Sequence, residues 1–157
     1  MSKWPTAQLG EVIQRADESA VLESDGSYHE VTIRLWGKGV ISRGKVRGSE
    51  VVTPRRFIRS GQLIISKIDA RNGALGIVPI ELDGAIVSND FPSFEVKDEE
   101  KCLPEFLGAV VKSSWFVDLC KTSSEGTTNR IRLKEERFLN QQIPLPSLHE
   151  QHAIVTK

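Results

Sequence analysis

Only two of the 157 residues are cysteines, Cys102 and Cys120, too few for the disulfide framework of a small secreted domain. The three histidines do not help them: His149 and His152 lie close together, His29 is remote, and no zinc-ligand spacing with either cysteine results. No metal or cofactor site is expected. Aromatic residues make up 6% of the chain, which argues against a stacking surface for single-stranded nucleic acid. Trp4, Trp36 and Trp115 are accordingly read as core or edge packing. No apolar run approaches the ~20 residues that span a bilayer. The opening Met1-Ser2-Lys3-Trp4-Pro5 has no apolar stretch for export, so the expected address is the cytoplasm. What is present is 39% hydrophobic residues and a mean hydropathy of -0.25, the composition of an ordinary single domain. A domain of this size buries roughly 70% of its unfolded surface and folds without a staple.

The chain also lacks net charge, with 21 Lys+Arg against 21 Asp+Glu, but the charges are segregated. Residues 1–33 sum to -4 and residues 72–157 to -4, whereas residues 34–71 sum to +8. That block contains Arg34, Lys38, Arg43, Lys45, Arg47, Arg55, Arg56, Arg59, Lys67 and Arg71 against Glu50 and Asp69. A cationic face between acidic flanks concentrates a polyanion at one surface. The competing reading is a solvated surface whose arginines pair with those flanks.

Residues 30–36 alternate Val31, Ile33 and Leu35 with polar side chains, the period of a half-buried strand. Gly37-Lys38-Gly39-Val40-Ile41-Ser42-Arg43-Gly44-Lys45-Val46-Arg47-Gly48 reads as an exposed loop or loose hairpin. Its glycines let the backbone approach a ligand, and its lysines and arginines seek phosphate. It does not match a Walker loop. Residues 57–78 are dense in β-formers and hold Asn72-Gly73 between two apolar runs, which predicts a hairpin whose tip carries Lys67, Asp69, Arg71 and Asn72. Residues 80–87 and 91–96 add short apolar segments. After the charged turn at 97–101, Leu103-Pro104-Glu105 opens a helix, and a second is expected over 114–121. Ile143-Pro144-Leu145-Pro146 is held extended, and Ser147-Leu148-His149-Glu150 has capping-box spacing at the start of a final helix. The expected fold class is α+β, rich in mixed or antiparallel sheet with hairpins over the first two thirds, followed by short helices.

An enzyme would have to be built from few groups. Asp90, Glu95 and Lys97 superficially match the carboxylate and lysine set of metal-dependent nucleases, but the spacing omits the usual intervening strand. Asn89-Asp90-Phe91-Pro92 lacks the second proline of the loop that grips an adenine amino group, and no glycine-rich cofactor loop follows a first strand. No nucleophile elbow is present. No catalytic residue is assigned. What remains suits recognition of duplex DNA by loops, because Arg and Lys read guanine edges, Asn reads adenine edges, and Lys and backbone amides hold phosphates.

The order of segments resembles a target recognition domain of the specificity subunit of type I restriction-modification systems, over nearly the whole length. The resemblance rests on Trp4 and Leu9-Gly10-Glu11-Val12-Ile13, on Ser60-Gly61-Gln62-Leu63-Ile64-Ile65-Ser66-Lys67-Ile68, and on Ala70-Arg71-Asn72-Gly73-Ala74-Leu75-Gly76-Ile77-Val78. Ser88-Asn89-Asp90-Phe91-Pro92, Leu103-Pro104-Glu105-Phe106-Leu107 and Gly126-Thr127-Thr128-Asn129-Arg130 continue it. Its most specific part is Ile143-Pro144-Leu145-Pro146-Ser147-Leu148-His149-Glu150-Gln151, similar to the family's Ile-Pro-Leu-Pro-x-x-x-Glu-Gln junction.

The resemblance implies one recognition domain over residues 1–146, with 147–157 opening a spacer helix that the sequence cuts short. It implies a non-catalytic subunit, or a fragment of one, that binds one half of a bipartite duplex DNA target. The implied partners are a methyltransferase subunit and, in the full complex, an ATP-dependent translocase and nuclease subunit. Expected phosphate contacts are Lys38, Arg43, Lys45, Arg47, Arg55 and Arg56; expected base-reading residues are Lys67, Arg71, Asn72, Asn129 and Arg130. Three alternatives stay open: the recognition domain of a single-chain restriction-methylation enzyme, a nuclease using Asp90, Glu95 and Lys97, and a protein-interaction module whose basic block meets an acidic protein.

Overall fold

The computed structural model describes residues 4–126 and 131–156. In chain order the elements are β1 (Thr6–Gln8), α1 (Leu9–Val12), β2 (Ile13–Ala16), β3 (Glu18–Ser19), β4 (Ser27–Ile33), β5 (Val40–Arg47), β6 (Arg56–Phe57), β7 (Leu63–Ile65) and β8 (Leu75–Ile77). They continue with β9 (Ile86–Val87), β10 (Ser93–Val96), α2 (Pro104–Val110), α3 (Ser114–Thr122), β11 (Ser124–Glu125), β12 (Arg132–Leu133), α4 (Glu135–Leu139), β13 (Gln142–Pro144) and α5 (Leu148–Val155). The class is α+β, as the sequence predicts, and every strand pairing described is antiparallel.

The central sheet runs β2-β10-β7-β8. Its inner strand β7 is buried on both faces, which is why Leu63-Ile64-Ile65 is an unbroken apolar run rather than an alternating one. Leu63 and Ile65 point into the larger core, with Phe94, Phe106, Phe116 and Phe138. Ile64 points the other way, into a smaller core with Val31, Ile33, Val40, Ile58 and Val78. The turn end of the β4–β5 ribbon is seated there by Val31, Ile33 and Val40, its apolar root, and the far end is held by Gly48 N–H to Gly26 O and by the Tyr28 ring against Phe57. Along the rest of β5, Ile41 to Lys45 and Arg47 are exposed.

The segment at 37–48, expected as a loop or loose hairpin, is therefore mostly strand. Its pairing with β4 satisfies backbone groups that composition alone leaves unassigned. The glycines mark its irregular points. Gly37 and Gly39 take positive φ in the turn, and Gly44, at φ +119°, sits where Arg43 bulges out of the ladder between the Glu30 and Val31 pairings. The strand expected over 30–36 ends at Ile33, because Trp36 and Gly37 turn the chain.

The hairpin at Asn72-Gly73 is present, but not as a tight two-residue turn. Leu63↔Ile77 to Ile65↔Leu75 pair, and the connection between them holds a single 3-10 turn at Ala70–Asn72, capped by Gly73 in the left-handed region. Helices α2 and α3 begin where the proline and Ser114 predict. The short helix α4 was not anticipated; Phe138 ties it to the core between Phe94 and Phe116. At the far end β13 pairs with β1, and Ser147 Oγ accepts the Glu150 N–H, as the capping spacing requires. Gln151 is fully buried. Its amide nitrogen donates to the carbonyls of Lys101 and Pro146, and its amide oxygen accepts the Leu103 N–H, so three hydrogen bonds fix the course of α5 against the α2 entry. Among the described residues no helix is long and apolar enough to cross a membrane.

Candidate nucleic-acid interface

Two tips meet at one place on the molecule. The turn of the β4–β5 ribbon is closed by Arg34 N–H to Gly39 O and Lys38 N–H to Leu35 O. It is bonded to the β7–β8 connection by Trp36 N–H to Asn72 O and Gly37 N–H to Gly73 O, each 2.9 Å. Glycine is required at 73, because the residue takes φ +79° and a Cβ would lie 2.9 Å from the Trp36 backbone. Sequence reasoning proposes these segments separately, and the fold joins them.

The basic block divides sharply on this frame. Four of its ten cations have carboxylate partners: Arg43 with Glu30 (3.4 Å), Arg56 with Asp17 (3.9 Å), Arg59 with Glu18 and Asp83, and Lys67 with Glu135 (3.1 Å). The other six, Arg34, Lys38, Lys45, Arg47, Arg55 and Arg71, have none among the described residues. All six belong to the ribbon or adjoin it. Arg34 and Lys38 are in its turn, Lys45 and Arg47 along β5, Arg71 on the connection bonded to the turn, and Arg55 in a small cleft shared with Arg43 and Glu30. Pairing with acidic flanks thus accounts for the lesser part of the block.

Individual expectations fare differently. Lys38, Arg43, Lys45 and Arg47 are exposed, and Arg55 is half-exposed with its guanidinium bonded to Thr53. Arg56 is a correction. It is 5% exposed and donates to Ala16 O (3.1 Å), Ser93 Oγ (3.3 Å) and Phe91 O (2.6 Å), so it is a strut between β2 and β10 and is closed to a phosphate. Desolvation there holds its guanidinium below the usual arginine value. Lys67 is only 27% exposed and is drawn to Glu135, which Arg15 also grips at 2.5 Å. Burial pushes the Glu135 carboxyl up, but the bonds from Lys67 and Arg15 outweigh it and leave it below the ordinary glutamate value. Arg71 and Asn72 line a cleft of about 290 Å3 with Lys121, Ser124 and Ile131. The Arg71 Nε is buried there without a partner among the described residues. Asn129 and Arg130 lie outside the described residues.

Sequence reasoning missed two residues of the tip. Arg34 donates to Lys38 O through Nε and Nη2, bracing the turn while keeping its charge. Trp36, expected as packing, is 66% exposed and has φ +60°, the one non-glycine residue at positive φ among those described. A bulky side chain in that region is a conformational outlier, costing roughly 1–2 kcal/mol. The single available signal was its place before Gly37.

The nuclease set does not assemble as a unit. Asp90 is paired with Arg132 at 3.2 Å, and Lys97 Nζ donates to Gly10 O at 2.9 Å. Among the described residues no group of three or more His, Cys, Asp or Glu is placed to hold a metal ion. Burial pushes the Cys102 thiol up to about 11 and the Cys120 thiol to about 12, which keeps both protonated and unreactive.

Comparison with known proteins gives the frame a lineage. The structure is similar to the HsdS subunit from Thermoanaerobacter tengcongensis, with a TM-score of 0.76 and 27% identity over 98% of this chain and 40% of that one. A chain from a study of complex assembly and conformational transition of the type I R-M system gives a TM-score of 0.74, also at 27% identity, 98% and 40% coverage. The type I restriction-modification S subunit from M. genitalium shares the fold, with a TM-score of 0.64 at 15% identity over 98% of this chain and 37% of that one. The chain therefore spans about 40% of the length of the solved subunits it matches. No curated protein matches it. The family model for the type I restriction modification DNA specificity domain matches residues 1–157 in full, and with the same fold recovered independently from solved S subunits, the chain belongs to that family.

Proposed function

We propose that this chain recognises one half of a bipartite duplex DNA target as a specificity subunit, or part of one, of a type I restriction-modification complex. The observation that carries the reading is the set of six cations without carboxylate partners gathered on and beside the β4–β5 ribbon. A two-stranded ribbon is of a size that the major groove admits, and unpaired Lys and Arg release counterions from DNA on contact. Lys38, Lys45, Arg47 and Arg55, with Arg34 added and Arg43 at the ribbon's bulge, hold phosphates. Arg71 and Asn72, on the connection bonded to the turn, are the base-reading candidates, and Asn129 and Arg130 join them on residue type alone. Lys67 is reserved for Glu135.

In this reading the chain carries out no chemistry itself. It works in the cytoplasm and places a methyltransferase subunit over an adenine, which the partner flips and methylates. An ATP-dependent translocase and nuclease subunit joins in the full complex. Residues 1–146 are the recognition domain, and residues 147–157 begin a spacer helix whose direction Gln151 sets.

The test is selection from a random duplex library across a salt series. With about six phosphates contacted, affinity falls with a log-log slope of about -5.4, and the retained pool is enriched in a short motif. Binding without salt dependence or enrichment overturns the reading.

A further inference from the structure

We propose that Trp36 is a direct, apolar DNA contact, its indole lying against the bases of the half-site and unstacking the step that it meets. The inference rests on the DNA reading above and adds to it a residue that charge arguments do not find. Four observations support it. The indole is the most exposed aromatic group among those described, at 66%. It is delivered from a strained position, φ +60°, where a glycine would sit without cost. The position is held by backbone bonds from Trp36 N–H to Asn72 O and from Gly37 N–H to Gly73 O. Finally, its neighbours Arg34 and Lys38 carry charges without carboxylate partners, and Asn72 and Arg71 stand across the junction.

A surface that keeps a large aromatic in an unfavourable conformation is maintaining it for a contact. The surrounding charge selects the partner. Centres of protein-protein interfaces are depleted in charged residues, whereas an apolar side chain flanked by phosphate-seeking cations suits entry at a flexible base step. Pyrimidine–purine steps, which unstack most easily, are the expected site of entry.

The test uses the full chain and the duplex enriched for the wild type, labelled with 2-aminopurine at each adenine position in turn. In the wild type, binding raises 2-aminopurine fluorescence at one step. Trp36→Ala weakens binding about tenfold, leaves the salt slope unchanged and abolishes the rise. Trp36→Phe retains most of both. Trp36→Gly separates folding from contact: it melts at the same or a higher temperature, because the φ strain is relieved, yet binds as weakly as Trp36→Ala. Wild-type affinity in Trp36→Ala, or a flat 2-aminopurine signal at every position in the wild type, overturns the wedge while leaving the DNA reading intact. A wild-type chain that shows no salt-dependent binding overturns both.

Discussion

The β4–β5 ribbon and the small β3-β6-β9 sheet draw on the same basic block and put it to opposite uses. In the small sheet, Arg56 and Arg59 are turned onto the protein itself. Arg56 braces β2 and β10 from inside, and Arg59 reaches Glu18 across the sheet and lies 5.1 Å over the Phe57 ring. Its bond with Glu18 raises the guanidinium above its usual value and lowers the Glu18 carboxyl. In the ribbon, a few residues earlier, the side-chain charges of Lys38, Lys45 and Arg47 have no carboxylate ion pair among the described residues. Composition does not distinguish the two sets. What separates them is the pairing partner of each strand: β6 lies between β3 and β9, while β5 has one neighbour and an open flank.

That contrast can be broken from either side. The largest effect is expected for Arg56→Ala, which removes the guanidinium bonds to Ala16 O, Ser93 Oγ and Phe91 O from a buried site. Unfolding free energy should fall by about 3 kcal/mol, read by urea denaturation, and the salt slope of DNA binding by the folded fraction should not move. The combined Lys38→Gln, Lys45→Gln and Arg47→Gln variant should do the reverse. Its stability should stay within about 0.5 kcal/mol of wild type. Its affinity should drop on the order of a hundredfold at about 0.15 M salt, with a slope shallower by about 2.7. An unchanged slope would mean that the ribbon is not the phosphate surface.

Gly73→Ala tests the junction of the two tips. The added Cβ meets the Trp36 backbone in a left-handed conformation, so a loss of about 1–3 kcal/mol is expected in thermal unfolding, together with weaker DNA binding. The smallest effect is expected at the half-buried Glu135. Its carboxyl is held below the ordinary glutamate value by Lys67 and Arg15, so it stabilises the fold above the unfolded-state value, about pH 4.3. That contribution is lost as pH falls through the lower folded-state value. Glu135→Gln should therefore be about 1 kcal/mol less stable at neutral pH, and the gap should close on acidification, as followed by circular dichroism melts.

Local rules carried the reading of the sequence a long way. Proline at the start of α2, the capping spacing before α5 and the apolar runs flanking Asn72-Gly73 act within a few residues and were legible as such. Three features were not, and each depends on distant partners. The segment at 37–48 is a strand because β4 lies beside it, not because its glycine-rich composition favours one. Arg56 looks like Arg55 until the Ala16, Phe91 and Ser93 acceptors are folded around it. Lys67 reads as a free cation at a hairpin tip until Glu135 arrives from a helix with no strong sequence signal. The basic block was legible as a region, but which of its charges have partners depends on tertiary pairing.

The bulge at Arg43 has a consequence for how such a surface changes over generations. In a regular ladder, gaining or losing one residue flips the outward and inward side chains all the way to the root. Here Val31, Ile33 and Val40 lie on the core side of the bulge, and the pairs from Glu30↔Gly44 to Ser27↔Arg47 lie beyond it. The irregularity uncouples the two parities. A one-residue insertion or deletion at the bulge is therefore expected to turn Lys45 and Arg47 toward the opposite face while Val31, Ile33 and Val40 stay seated, so the charge the ribbon presents can be re-aimed by a change in length as well as by substitution.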